Sequence, residues 1–178
     1  MQNELASNDA LASKHTSAAN RICKVCLTSD ILCNACNNRL ESGQISNLDV
    51  QLSRAVFAIR PDADFSKYIV SDNFIIILAD KDNARKIIGK AGRNVQTISK
   101  QLNKNLKVVE ISEHNVMLEE LLSVPIIAIN KVYKQQAGVN TPNEFYRVRI
   151  DKKFSKKVRF STSTASAVVN KPIEYVFE

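Results

Sequence analysis

The sequence predicts an α+β protein in three folded parts: a short four-cysteine metal module, a domain of order αββααβ, and a small C-terminal α+β module. Three observations predict it. All four cysteines fall within fourteen residues, helix-periodic and β-rich segments alternate after them, and one pair of glycines three apart sits between two short amphipathic segments. The expected boundaries are 1–20 for an extension rich in Ala, Ser and Asn that has no apolar face and is expected to be disordered, 21–45 for the metal module, 46–111 for the central domain and 112–178 for the last module.

The metal module is "CKVCLTSDILCNAC". Cys23 and Cys26 form one Cys-x-x-Cys pair, and Cys33 and Cys36 form the other. Each pair lets a tight turn point two thiolates at one ion, and the intervening residues bring the second turn opposite the first. Four sulfurs would close the coordination shell, so the expected cofactor is structural Zn2+ rather than a Lewis acid. Ile22, Val25, Leu27, Ile31 and Leu32 are too few to make a core, and metal binding of about 10–16 kcal/mol would supply the missing stability. Two disulfides, a redox pair and an iron–sulfur cluster are the competing readings. Disulfides need an oxidising compartment, and redox Cys-x-x-Cys motifs usually stand alone beside a βαβ unit. His15 and His114 lie at no ligand spacing from a cysteine.

Next, "SNLDVQLSRAVFAIRP" predicts a helix with Ser46 as its N-cap, Asp49 three residues on, and Leu48, Leu52, Ala55, Val56 and Ile59 along one face. Pro61 stops it. "FSKYIVSDNFIIILAD" predicts two strands around Ser71, Asp72 and Asn73, and the unbroken apolar run "FIIILA" predicts a central strand buried on both faces. A short helix from Asp82 or Asn83 carries Ala84, Ile87 and Ile88, and a second one starts after Gly92 and carries Val95, Ile98 and Leu102. "LKVVEI" then returns as a strand. In the final third, "MLEELL" and "STSTASAVV" predict helices, while "PIIAINKVY", "EFYRVRI", "KVRF" and "IEYVFE" predict strands, the first two around the turn-rich "QQAGVNTPN".

Charge points towards a polyanion. The net charge is +7, and Lys81 to Lys107 holds eight basic residues against Asp82 alone. A second basic cluster comprises Lys152, Lys153, Lys156, Lys157 and Arg159. Taken alone it reads as a solvated surface, and with the first it reads as an extension of a phosphate track, to which Phe145 or Tyr146 would add a stacking ring if not part of the core. No nucleophile stands beside a usable base, and the glycine loop lacks the Lys-Ser or Lys-Thr of a nucleotide-hydrolysing P-loop, so no enzyme is expected. The N-terminus has neither the basic start nor the apolar block of a secretory signal, and the longest apolar runs are too short to span a bilayer, so a cytoplasmic location is expected.

The segment "RKIIGKAGRNVQTI", with its Ile-Ile before the glycines and Val95 and Ile98 after them, resembles the core of a KH domain of the type II arrangement, over residues 47 to about 111. The side-chain-free positions Gly89 and Gly92 would let a nucleic-acid backbone lie on the loop. The start of the second helix would face the phosphates, with Lys90, Arg93 and Arg85 or Lys86 adding charge. The family implies about four unpaired nucleotides in a groove floored by Ile87, Ile88 and Val95. Gly89, Lys90, Ala91, Gly92, Arg93, Arg85, Lys86, Ile88 and Val95 are therefore the candidate RNA-binding residues. Ile87, Ile98 and Leu102 fit a plain core equally well.

Together with "CKVCL", "LCNACNNRLESGQIS", "DVQLSRAVFAI" and "KVVEI", the chain resembles archaeal KH proteins described as NusA-like transcription factors, across residues 22 to 111. There is no second Gly-x-x-Gly, since the other glycines are Gly43 and Gly138. The resemblance implies single-stranded RNA binding and, with it, a role in transcription elongation or termination on nascent RNA beside RNA polymerase. A ribosome- or ribosomal-RNA-associated factor and a protein-interaction adaptor that binds no RNA are the alternatives.

Overall fold

The computed structural model describes residues 22–71, 74–134 and 143–178. It is a mixed α+β structure with seven α-helices and two three-stranded sheets among these residues. The extension at 1–20, the turn residues Asp72 and Asn73, and most of "QQAGVNTPN" lie outside them.

Helices α1 (Lys24–Thr28) and α2 (Asn34–Glu41) form the cysteine module. Val25 and Ile31 are exposed there, so these apolar side chains build no core of their own. Helix α3 (Asn47–Ile59) follows, and its start is as expected: Ser46 accepts from the Asp49 N–H at 3.1 Å while Asp49 accepts from the Ser46 N–H at 2.7 Å, a reciprocal capping box. Strands β1 (Lys67–Ser71) and β2 (Phe74–Ala79) pair antiparallel, and β3 (Asn105–Glu110) pairs parallel to β2, giving the order β1-β2-β3.

The central strand β2 explains its own sequence. Ile75, Ile77 and Ala79 point into a core with α3 and the helices α4 (Lys81–Ile88) and α5 (Arg93–Leu102), whereas Ile76 and Leu78 point into a second core on the other face. Burial on both faces, read from the run "FIIILA", is found. Helix α4 starts at Lys81, one to two residues before the expected position, because the Asp80 carboxylate caps it by accepting from the N–H groups of Asp82 and Asn83.

The second core joins sheet one to the rest of the chain. Ile69, Ile76, Leu78 and Val109 meet α6 (His114–Leu122), α7 (Thr162–Val169) and the inward residues Tyr146, Val148 and Ile150 of β5. Strand β4 (Ile126–Lys134) pairs antiparallel to β5 (Asn143–Ile150), and β6 (Ile173–Phe177) pairs parallel to β5. Sheet two therefore repeats sheet one: an antiparallel partner on one side of the central strand and a parallel partner on the other. The order α6, β4, β5, a 3-10 turn at Lys152–Phe154, α7, β6 likewise repeats α3, β1, β2, α4, α5, β3, with the first helix of the central pair cut to one turn. "KVRF" is not a strand. The slot beside β5 is filled by β6, and Val158 and Phe160 instead insert into the core from an irregular segment.

Candidate metal centre and candidate nucleic-acid interface

The cysteine module is built twice over the same local plan. Cys23 is the N-cap of α1 and Cys33 the N-cap of α2, each extended, while Cys26 and Cys36 sit in the first turns and are buried. A helix start favours a thiolate, because its unpaired N–H groups and the positive end of the dipole face the sulfur. The two turns also hydrogen-bond each other's sulfur: the Cys33 N–H donates to Cys26 Sγ at 3.1 Å and the Cys23 N–H to Cys36 Sγ at 3.4 Å.

All four Sγ atoms lie within 4.8 Å of one another, with Cys23 to Cys26 at 3.4 Å and Cys23 to Cys33 at 3.8 Å. Four sulfurs at about 2.3 Å from a zinc ion stand roughly 3.8 Å apart, so the cluster fits a tetrahedral site made of four thiolates. The electrostatics agree. Hydrogen bonds from Cys26 draw the Cys23 thiol down to about 7. At Cys26 the Cys33 N–H favours the thiolate, yet burial and the neighbouring sulfurs carry the thiol up to about 12. A dication among the four reverses that repulsion. Arg54 of α3 donates Nε–H to the Cys26 carbonyl at 2.9 Å and ties the module to the first core. The sequence offered no sign of this tether, because a charge on a helix otherwise reads as solvated.

The glycine bend lies between α4 and α5. Gly89 has φ 69°, Ala91 φ 53° and Gly92 φ 73°, so three of four loop residues occupy the left-handed region. Gly89 is required twice: for its φ, and because a Cβ there would collide with the Asn94 side chain. Asn94 is a residue that sequence reasoning missed. Its Nδ2 donates to the Lys86 carbonyl at 2.8 Å, latching the end of α4 to the first turn of α5.

Lys90, Ala91 and Arg93 are exposed, so the bend faces solvent rather than the interior. Gly92 is the N-cap of α5 and no side chain caps that end. Arg85 is exposed, and among the described residues it makes no ion pair. Lys86 is committed elsewhere, with its Nζ 3.2 Å from the Asp62 carboxylate. That contact holds the Asp62 carboxyl below the usual range. Ile88 and Val95 are half-buried at the rim of the first core, where a ligand can reach them, whereas Ile87 and Ile98 are sealed inside it. Ile87 therefore cannot floor a groove. His114 Nδ1 lies 3.0 Å from the Tyr146 hydroxyl, and Tyr146 is buried, so it is a core ring and not a stacking platform. Among the described residues, no helix is long and apolar enough to cross a membrane.

No protein-family model matches the chain, and no curated protein resembles it in sequence. Solved structures do share its fold: the crystal structure of APE1850 superposes with a TM-score of 0.53 over 72% of this chain and 95% of its own, at 21% identity.

Proposed function

We propose that the chain is a single-stranded RNA-binding protein of KH type that grips the sugar–phosphate backbone at Gly89–Gly92, with a structural zinc ion in the four-cysteine site. The observation that carries this reading is the solvent-facing bend itself. Three left-handed residues turn the chain with no side chain larger than a methyl among them, the positive end of α5 stands at the surface without a side-chain cap, and Lys90, Arg93 and Arg85 add charge. Ile88 and Val95 give the apolar side against which bases rest.

A role on nascent transcripts beside RNA polymerase, as in NusA-like factors, is the biological setting that this reading and the cysteine module favour together. Replacing Lys90 and Ala91 by aspartate tests the RNA reading. Both side chains point into solvent, so the fold should persist while affinity for short single-stranded RNA falls at least roughly tenfold. Unchanged affinity would leave the loop as a helix–helix turn and the protein as an adaptor.

A further inference from the structure

The basic residues outside the glycine bend do not form one diffuse surface. Lys107 of β3 and Lys156, Lys157 and Arg159 of the segment before α7 converge on a cleft of about 530 Å³, floored by Phe74 and Phe160 and closed by the end of α6. That volume is in the range of ligand sites. None of the four cations is ion-paired among the described residues. Lys107 donates to the Ser123 hydroxyl at 2.9 Å, and Lys157 lies over the Phe154 ring at 5.5 Å. The nearby carboxylate that acts on Lys107 is Glu120, which is itself occupied in accepting from the Glu110 N–H at 2.9 Å. Burial makes the Lys107 ammonium costly, pushing its pKa down, and an anion in the cleft would relieve that cost.

The alternation of β3 fixes where the cleft stands. Leu106 and Val108 face the first core with α4 and α5, so Lys107 and Val109 face the opposite side of the sheet. The cleft and the glycine bend are thus on opposite faces. Basic residues lie between them: Arg93 and Lys100 stand two turns apart on the exposed face of α5, Lys104 follows in its exit turn about 15 Å of helix from Gly92, and Asn105 then lies beside Phe74 in register. Lys100, Lys104 and Asn105 border a shallow groove at the sheet edge.

We infer that this cleft is a second phosphate-binding site, filled by the downstream or upstream backbone of the same RNA strand that lies on the glycine bend, after it rounds the β3 edge along α5. The inference takes its source of phosphate from the RNA reading above. Its apolar floor of Phe74 and Phe160 would lie under a sugar or base, while the four cations hold phosphate oxygens.

The test compares RNA length. A tetranucleotide covers only the bend, at about four nucleotides, whereas a strand of about twelve reaches both sites. For the variant K156A/K157A/R159A, affinity for the twelve-mer should fall at least about tenfold and its salt slope by about 2 units, with tetramer affinity unchanged. The charge-conserving variant K156R/K157R/R159K should bind the twelve-mer like the parent. Unchanged twelve-mer binding in the alanine variant would overturn the inference. An equal loss for both lengths would overturn it too, as would failure of the charge-conserving variant. The two readings separate cleanly: if K90D/A91D binds the twelve-mer normally and K156A/K157A/R159A does not, the cleft stands and the bend falls.

Discussion

The two αββ…αβ halves of the molecule share strand order and pairing, yet they turn the same corner differently. Between α4 and α5 the chain uses three left-handed residues, and exposes Lys90, Ala91 and Arg93 at a helix start that no side chain caps. Between the 3-10 turn and α7 the equivalent stretch, Ser155 to Ser161, contains no residue with positive φ and no glycine. Its polar display is made of side chains instead: Lys156, Lys157 and Arg159. Backbone amides give a phosphate fixed geometry, whereas lysines give charge with little geometry. On the RNA reading proposed above, one half would place a strand and the other would attract it.

The largest effect should come from the part outside both halves. On the structural-zinc reading, a chelator should remove about 10 kcal/mol or more of metal-linked stability within residues 22–45, and replacing buried Cys26 by serine should remove a part of it. The expected result is loss of helical signal and amide protection there, with one zinc per chain detected in the untreated protein. Both sheets should keep their protection, since their cores contain no cysteine.

The comparison sharpens at single positions. Gly89→Ala places a Cβ in the left-handed region and against Asn94, and should destabilise the first half by about 1–3 kcal/mol in denaturant unfolding. Ser155→Ala in the equivalent segment, exposed and at ordinary dihedrals, should stay within about 0.5 kcal/mol. Asn94→Ala removes the latch on Lys86 and should cost about 1–2 kcal/mol, with RNA affinity falling as the bend loosens. Ser46→Ala opens the capping box of α3, for about 1 kcal/mol.

The smallest effect is one of pH, and here the halves should behave alike. Asp80 after β2 and Asp151 after β5 both accept backbone N–H groups at the start of the next turn. The Asn83 N–H and side chain hold the Asp80 carboxyl below its ordinary value, and Lys153 does so for Asp151. A depressed folded pKa means stability that is complete above the unfolded carboxylate value near 4 and is lost as pH falls through the folded one. Melting temperature should thus fall below about pH 4 and recover above it, less so in the double variant D80N/D151N.

Much of the first half was legible because each signal there is local. The capping box at Ser46 and Asp49 needs only four residues, the double-faced burial of β2 shows as an unbroken apolar run, and the glycines mark the bend directly. Alternation in "EFYRVRI" identified β5, whose outer Arg147 pairs with Glu174 of β6 at 3.2 Å while Tyr146 and Val148 turn inward. "KVRF" carries the same alternation and misled, since Val158 and Phe160 are two core anchors with no strand available beside them. The repeat itself was hidden. It resides in parallel pairings of residues far apart in the chain, and the equivalent stretch of the second half, Ser155 to Ser161, has no glycine to announce it. Arg54, Asn94 and the placement of Lys107 across the sheet from the bend are tertiary facts with no local trace.

The central proposal is that the bend between α4 and α5 takes the RNA. Titrating the protein with a single-stranded tetranucleotide and following every backbone amide by NMR tests it most directly. The largest shifts should fall on Gly89 to Val95, with the amides of Ser155 to Ser161 nearly unmoved. If the tetranucleotide binds and the amides from Gly89 to Val95 stay where they were, the bend is not the site and the account is wrong.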